Sequence, residues 1–277
     1  MNALNFTLAR EKCTRCGSCI NDCPRKIIRA VDGYPAVAPE TEELCIRCQH
    51  CFAICPAGAI SVFGLNPENS LPVEKTPAVS ADAMSRFVRA RRTTRQYEKE
   101  NVERGLIDRL LADTAYAPTG GNRCDLIFSV SDNRQNTERL LHHLLDGLEQ
   151  KLKDTGGEPP AFISNAIEAR RTGHDEIFRG APHLLIVSAG EKAYCGDADV
   201  IIALSYFELL AQSHGLGTTW CGFLKFIFDF APELAGAFGI NLDRPYYAML
   251  FGHPAVSYAR TVQRDDAAAV KTLDCRF

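Results

Sequence analysis

The sequence predicts an α+β protein in which a small cysteine-rich domain precedes a larger domain of alternating helices and strands. Three observations support this prediction. Eight of the twelve cysteines stand in two short runs before residue 56, and a proline-containing stretch of low periodicity, residues 64–80, follows them. Beyond residue 80, segments with helical spacing of apolar residues alternate with short continuous apolar runs. We therefore predict a first domain at 1–63, a linker at 64–80 and a second domain at 81–277.

The cysteines of the first domain repeat one spacing, C-x2-C-x2-C-x3-C followed by proline. The first run is Cys13, Cys16, Cys19 and Cys23, and the second is Cys45, Cys48, Cys51 and Cys55. This spacing is the bacterial two-cluster ferredoxin pattern, in which the fourth cysteine of each run ligates the other cluster. It predicts one [4Fe–4S] cluster on Cys13, Cys16, Cys19 and Cys55, and a second on Cys45, Cys48, Cys51 and Cys23. The predicted role is one-electron transfer.

Two other uses of these cysteines fit the sequence less well. Disulfides require an oxidising compartment, and residues 1–10 lack the apolar core of a secretory signal. Zinc sites favour two C-x2-C pairs separated by a long gap, which differs from four cysteines within eleven residues.

Length and charge narrow the class of protein. The 277 residues suffice for about two domains. A net charge of −3 argues against bulk binding of nucleic acid. No apolar run approaches the roughly 18–20 residues that span a bilayer. We expect a cytoplasmic protein with no nucleic-acid or membrane partner.

The predicted secondary structure follows the apolar pattern. In the first domain, apolar segments 27–31 and 59–63 are expected to pair as strands, and 32–35 to form a turn. In the second domain, helices are predicted over 81–92 (with Ser80 as N-cap), 103–116, 136–152, 162–177, 199–214 and 267–273. Strands are predicted over 126–130, 184–189 and 246–251. The helix 199–214 is apolar on nearly all faces, so we expect it to be buried, either within its own fold or against another subunit, with Asp199 as its cap.

Five arginines, Arg86, Arg89, Arg91, Arg92 and Arg95, lie within ten residues. A solvated charged face is one interpretation. The other rests on the segment 91–95 (RRTTR), which falls where a helix should end. Guanidinium groups and threonine hydroxyls together suit a phosphate monoester, because its charge needs several donors.

Four segments together resemble the nitroreductase family of FMN flavoproteins. Residues 91–97 (RRTTRQY) resemble its Arg-Arg-Ser-x-Arg-x-Phe box, and 117–122 (APTGGN) its Ala-Pro-Ser-x-x-Asn loop. Residues 215–222 (GLGTTWCG) match Gly-Leu-Gly-x-x-Trp-x-Gly, and 252–255 (GHPA), with Arg264 downstream, resemble Gly-Tyr-Pro-Ala…Arg. With the cluster domain in front, the chain resembles ferredoxin–nitroreductase fusions over nearly its whole length.

The resemblance implies a mixed sheet flanked by helices and a homodimer with FMN at the subunit interface. By position, the phosphate and ribityl end would be held by Arg91, Thr93, Arg264 and, as a further candidate, Arg92. Arg95 would lie at the N1/O2 edge of the flavin ring. The pyrimidine side would be contacted by Pro118, Thr119, Gly120 and Asn122, and flavin N5 and O4 by the backbone amides of Cys221 and Gly222. One departure stands at 123–126 (RCDL), where the family often has Gln-Pro-Trp shortly after the asparagine.

The resemblance also implies an activity. Electrons from an external donor such as ferredoxin or flavodoxin would pass through two [4Fe–4S] clusters to FMN, which would reduce a small organic acceptor: a nitroaromatic, a quinone or an activated alkene. No catalytic side chain is required. Two alternatives remain open: an NAD(P)H-dependent flavin reductase, and a non-catalytic electron-transfer module between partner proteins. The physiological substrate stays undetermined.

Four cysteines lie outside the runs: Cys124, Cys195, Cys221 and Cys275. Cys124 and Cys221 fall beside predicted flavin contacts. A redox-active thiol is conceivable there, but a small buried hydrophobe is the favoured interpretation. His50 precedes Cys51, and we expect it to tune the surroundings of a cluster rather than to ligate iron.

Overall fold

The computed structural model describes residues 3–73, 78–156, 158–264 and 268–274. The chain forms two compact units. Unit 1 comprises Met1–Ala78 together with Gly121–Arg123, and unit 2 comprises Val79–Gly120 with Cys124–Phe277. No helix in the described part of the chain is long and apolar enough to cross a bilayer.

Unit 1 consists of two short helices and two small hairpin-like sheets. Its elements are β1 Thr7–Leu8, α1 Ser18–Asp22, β2 Ile28–Val31, β3 Tyr34–Val37, α2 His50–Ala53 and β4 Ile60–Ser61. β2 pairs antiparallel with β3, and β1 with β4.

This pairing corrects the expectation that segments 27–31 and 59–63 pair with each other. Asp32 and Gly33 have φ values of 50° and 79°. Positive φ at both central residues makes a two-residue turn whose twist suits a hairpin. Residues 28–31 therefore fold back locally onto 34–37. The predicted turn at 32–35 shortens to its first two residues, and 60–61 pairs with the N-terminal strand instead.

The core of unit 1 is small and includes cysteines. Leu4, Ile60 and Val62 are buried beside Cys19 and Cys23. A domain of this size buries little apolar surface and commonly depends on metal or disulfide cross-links for its stability.

Unit 2 is built on one sheet between two layers of helices. Its helices are α3 Ala81–Ala90, α4 Arg104–Thr114, α5 Arg134–Thr155, α6 Ala161–Arg171, α7 Gly196–Ser213 and α8 Gly222–Phe230. Its strands are β5 Leu126–Val130, β6 His183–Ala189, β7 Gly217–Trp220 and β8 Tyr246–Gly252. The four strands pair antiparallel in the order β5-β6-β8-β7. Thr93 adds an isolated parallel bridge to Thr218 at the β7 edge.

The alternation of side chains along β6 explains the three-layer architecture. Every residue of β6 is buried. Leu184 and Ile186 belong to the core shared with α5, α6 and α8, whereas Leu185 and Val187 belong to the core shared with α4 and α7. Successive side chains of a strand point to opposite faces, so a wholly apolar strand needs cover on both sides.

Most predicted elements lie within a few residues of the observed ones. The strand at 126–130 matches β5, and the Ser80 hydroxyl caps α3 by accepting from the N–H of Ala83 at 3.2 Å. Asp199 is not the cap of its helix, because α7 already begins at Gly196. α7 is also only partly buried: Ile201 is 42 % exposed and Tyr206 43 %.

Two predicted helices differ from the structure. The helix expected over 162–177 ends at Arg171, because Gly173 follows with φ 77° and turns the chain. The terminal helix expected over 267–273 is absent from 268–273, where Val270 and Leu273 are 87 % and 92 % exposed. So short a helix needs an apolar surface to pack against. Residue 267, like 74–77 of the predicted linker and Cys275, lies outside the described residues.

The sequence analysis missed α8 and β7 of unit 2, and β1 and β3 of unit 1. α8 has nine residues, Gly222–Phe230, and so short an apolar segment is difficult to distinguish from a strand by its periodicity. β7 has four residues and begins with glycine, which is a weak strand signal.

Candidate functional site

The arginine-rich segment after α3 is fixed between two other motifs of unit 2. On one side, the N–H of Thr94 donates to Thr218 O at 2.9 Å, and the Thr219 hydroxyl donates to Thr94 O. On the other side, Tyr97 forms an antiparallel bridge with Pro254. Segments far apart in sequence therefore meet along the β7 edge of the sheet.

A glycine makes this approach possible. A Cβ atom on Gly217 would lie 2.3 Å from Thr94 Oγ1, closer than any real contact. Glycine lets the arginine-rich segment pack directly against the β7 backbone. Close packing against Thr94 therefore explains why the second glycine of the Gly-Leu-Gly motif, Gly217, is a glycine.

A cavity of about 230 Å³ opens where these segments meet. Its lining includes Arg91, Arg92, Thr94, Gln212, Gly217 and Thr218. Of the predicted phosphate ligands, Arg91 and Arg92 line this cavity. Thr94 lines it in place of Thr93, whose carbonyl accepts a hydrogen bond from Tyr258 at 3.1 Å.

Two further arginines predicted for the site, Arg95 and Arg264, are exposed and do not belong to this lining. Their assignment stays a prediction from the family resemblance.

Arg91 is held by a buried carboxylate that the sequence analysis did not identify. Arg91 Nη1 lies 3.2 Å from Glu208 Oε1, which also accepts a hydrogen bond from the Thr218 hydroxyl at 3.2 Å. Glu208 is 7 % exposed, so its charge needs this partner. The available signal was an isolated glutamate within the apolar stretch 200–211.

One acceptor in the cavity lacks a donor. The side-chain amide of Gln212 donates to Phe87 O at 2.7 Å. Its Oε1 is buried and has no hydrogen-bond partner among the described residues. Buried polar atoms are nearly always paired. A ligand with hydroxyl groups would supply the missing donor, so a phosphorylated polyol chain such as that of FMN fits both the arginines and this acceptor.

The loop that follows α4 is held by Asp199. The N–H of Gly120 donates to Asp199 Oδ1 at 2.9 Å, and Asp199 is 2 % exposed. Thr119 Oγ1 accepts from the N–H of Cys124 at 2.9 Å. These bonds fix Thr119 and Gly120, while Pro118 is exposed. Asp199 was predicted as a helix cap, and its side chain serves this loop instead.

Asn122 belongs to unit 1 rather than unit 2. Its amide Nδ2 donates to Ile46 O at 3.0 Å, and Ile46 follows the predicted cluster ligand Cys45. The flavin contact predicted for Asn122 stays untested.

The end of β7 carries Cys221 and Gly222. The N–H of Cys221 donates to Ala248 O at 2.9 Å, so this donor is used within the sheet. Burial raises the pKa of the Cys221 thiol to about 12, which agrees with a small buried hydrophobe. Gly222 begins α8, and the first N–H groups of a helix have no partner within it. Those of α8 are the backbone donors available here.

In unit 1, the predicted ligand cysteines line two cavities. One is lined by Cys13, Cys16, Cys19 and Cys55. The other is lined by Cys23, Cys45, Cys48 and Cys51. This is the crossed grouping that the spacing predicts, and thiols are the usual ligands of iron–sulfur clusters. Within the described ranges, no three His, Cys, Asp or Glu side chains converge as a single-ion site would require.

Backbone donors and one ion pair surround these cysteines. The N–H of Arg47 points to Cys45 Sγ at 3.4 Å and that of Ala59 to Cys55 Sγ at 3.2 Å. Hydrogen bonds to sulfur tune the potential of a cluster. His50 Nδ1 lies 3.0 Å from Asp22 Oδ2, and this contact joins the neighbours of Cys51 and Cys23.

Both parts of the chain match models of known protein families. Residues 88–253 match the model of the nitroreductase family, and residues 12–60 match that of the 4Fe-4S dicluster domain. Among solved structures, a nitroreductase with bound FMN from Bacteroides fragilis is 21 % identical, with a TM-score of 0.51 over 68 % of this chain and 98 % of that one. One with bound FMN from Desulfitobacterium hafniense is 21 % identical, with a TM-score of 0.51 over 68 % and 97 %.

An FMN-dependent nitroreductase from Mycobacterium smegmatis, in complex with NADPH, is 15 % identical, with a TM-score of 0.50 over 69 % of this chain and 99 % of that one. At such identities these structures establish the fold. The family model covers more than half of the chain, and the chain therefore belongs to the nitroreductase family, an oxidoreductase family, with a 4Fe–4S domain at its N-terminal end.

Proposed function

We propose that this protein passes electrons from an external one-electron carrier through two [4Fe–4S] clusters to FMN, and so reduces a small organic acceptor. The acceptor class is a nitroaromatic, a quinone or an activated alkene. The observation that carries the proposal is the sorting of eight cysteines around two cavities in a chain of the nitroreductase family. Iron–sulfur clusters move single electrons, which suits a flavin that is reduced in one-electron steps.

The cavity of unit 2 supports the FMN part of the proposal. Arg91 and Arg92 line this cavity, and guanidinium groups are suitable donors for the phosphate of FMN. Gln212 Oε1 would accept from a ribityl hydroxyl. When bound, FMN supplies hydride and single-electron chemistry. The residues of the chain bind it, orient it and set its electrostatics.

Backbone groups complete the proposed binding mode. Thr119 and Gly120, held through Asp199, are proposed to face the pyrimidine ring. The N–H groups of the first turn of α8, beginning at Gly222, are proposed to face N5 and O4, where the helix dipole favours negative charge. We further propose a cytoplasmic homodimer with FMN at the subunit interface.

A second candidate is direct reduction by NAD(P)H. It is favoured by one observation, the NADPH bound to the structurally similar nitroreductase from Mycobacterium smegmatis. Anaerobic rapid mixing separates the two. If NADPH bleaches the flavin at the turnover rate, nicotinamide is the main electron source. If only a reduced low-potential protein does so, the carrier-fed direction holds.

The first test is anaerobic iron, sulfide and flavin analysis of the purified protein. Two [4Fe–4S] clusters and one FMN correspond to about eight irons and one flavin per chain. Titration with a reduced low-potential carrier should then bleach the iron–sulfur absorbance before that of the flavin. Full iron without flavin would contradict the assignment of the unit 2 cavity, and about four irons would contradict the count of clusters.

A further inference from the structure

Unit 1 presents a cationic surface beside one of its two cysteine cavities. Residues 10–16 carry three cations, Arg10, Lys12 and Arg15, and one carboxylate, Glu11. Arg15 also lines the cavity of Cys13, Cys16, Cys19 and Cys55. We call the exposed surface formed by Arg10, Arg15 and Tyr34 the arginine face.

The arginine face is organised around one aromatic ring. The guanidinium carbons of Arg10 and Arg15 lie 4.7 Å and 4.3 Å from the centroid of the Tyr34 ring. Arg15 Nη2 also donates to the Tyr34 hydroxyl at 2.6 Å. Stacking on a ring fixes both side chains, which lowers the entropy lost when they bind a partner.

No carboxylate in the described part of the chain pairs with these two arginines. Neither arginine forms an ion pair within the described ranges, although Glu11 lies between them in sequence. The neighbouring Lys12 pairs with Glu68 at 3.4 Å. Two cations held on one ring lie within about a Debye length, roughly 10 Å at 0.1 M salt, and repel each other. An anionic group placed across both would relieve that repulsion.

The cavity beside the arginine face also has a cysteine at the protein surface. Cys16 is exposed, whereas no cysteine of the other cavity is: Cys23 is buried and the other three are half-buried. Electron transfer between proteins needs a short path from the surface to the redox centre. The exposed thiol and the unneutralised cations therefore mark the same side of unit 1.

We propose that the arginine face docks an acidic one-electron carrier protein, which reduces the cluster held by Cys13, Cys16, Cys19 and Cys55. The carrier loses one electron and the cluster gains it, so two such transfers must occur before a two-electron product can form. This inference rests on the proposed function, and it adds the docking surface and the charge of the partner. Charge complementarity is the physical basis, because it speeds encounter and selects partners.

The test measures binding, independently of turnover. The probe is an oxidised acidic bacterial two-cluster ferredoxin, titrated calorimetrically into the holoenzyme at low and high salt. We expect binding that weakens with salt and that falls at least about tenfold in R10E and R15E. R15K, which keeps the charge, should bind better than R15E. The matched control is R109E on α4, an exposed arginine, which should change affinity less than about twofold.

A variant could also lose affinity because its cluster or fold is damaged. R10E tests for this artefact, because Arg10 lies outside the cysteine run. Iron analysis of each variant shows whether its clusters are complete. Equal affinity of the wild type, R10E and R15E would overturn the proposal, as would equal weakening by R109E or no binding of the acidic probe at low salt. Failure of the proposed function would look different: iron or flavin would be missing, or a small chemical reductant would fail to bleach the flavin.

Discussion

Arg91 Nη1 lies 3.2 Å from Glu208 Oε1, so the first arginine of the segment 91–95 is paired with a carboxylate that is itself almost fully buried. The pair joins the end of α3 to the middle of α7, residues 117 positions apart in sequence. Glu208 also holds the Thr218 hydroxyl on β7. One carboxylate thus positions two walls of the cavity.

Removing this carboxylate should destabilise unit 2. In Glu208→Ala, Arg91 loses its counter-charge and Thr218 its acceptor. Breaking a buried ion pair lowers the free energy of unfolding by about 3–5 kcal/mol. Because 28 % of the Arg91 side chain is exposed, we expect a loss at or below the lower end of this range. Glu208→Gln keeps an acceptor and should lose less. Denaturant unfolding of the flavin-free protein measures both losses. A Glu208→Gln variant as stable as the wild type would argue against a role for the charge of Glu208.

Arg91→Ala should weaken FMN binding specifically through the phosphate. Loss of a charge-assisted contact costs roughly 1.5–3 kcal/mol. Riboflavin lacks the phosphate, so its affinity should change little. Flavin fluorescence titration measures both ligands, and Arg86→Ala, an exposed arginine on α3, is the matched control. Equal weakening of FMN and riboflavin would remove Arg91 from the phosphate site.

Gln212→Leu should weaken FMN and riboflavin alike. Its Oε1 is a buried acceptor that has no hydrogen-bond partner among the described residues, and the ribityl hydroxyls are common to both flavins. A neutral hydrogen bond contributes about 0.5–1.5 kcal/mol. The same titration measures the effect. Unchanged affinity for both flavins would mean that the ribityl chain lies elsewhere.

Cys55→Ala and Cys23→Ala should damage different clusters. Crossed ligation predicts that Cys55→Ala affects the cluster of Cys13, Cys16 and Cys19, and that Cys23→Ala affects that of Cys45, Cys48 and Cys51. Iron analysis combined with electron paramagnetic resonance of the reduced protein distinguishes the two losses. The reverse assignment would follow if each variant lost the cluster of its own run.

The Cys221 thiol should make stability fall at alkaline pH. Its folded pKa is raised to about 12, whereas an unfolded cysteine titrates near about 8.5. The folded state therefore keeps a proton that the unfolded state loses, and the contribution is complete below about pH 8.5 and declines as pH rises towards 12. The free energy of unfolding, measured with denaturant, should fall less steeply from neutral to alkaline pH in Cys221→Ala than in the wild type. Identical pH profiles would contradict the burial of this thiol.

Local patterns sufficed for much of this protein. The cysteine spacing predicted the two ligand groups that line the cavities of unit 1, because a cluster loop needs ligands at short, regular intervals. The apolar run at 126–130 matched β5, and Ser80 was recognised as a cap, because caps and strands depend on neighbouring residues. Arg91 and Arg92, which the family resemblance assigned to a phosphate, both line the cavity of unit 2, and their role as phosphate ligands stays a prediction.

Only the tertiary structure decided what depends on distant partners. Glu208 and Gln212 looked like ordinary helix residues, and their roles appear once α7 packs beside α3 and β7. The pairing of β2 with β3 depended on positive φ at Asp32 and Gly33. The register of β7 on β8 determined that the N–H of Cys221 donates to a carbonyl within the sheet. Sequence spacing encodes local geometry, whereas hydrogen-bond partners and counter-charges are chosen by whichever segments the folded core brings together.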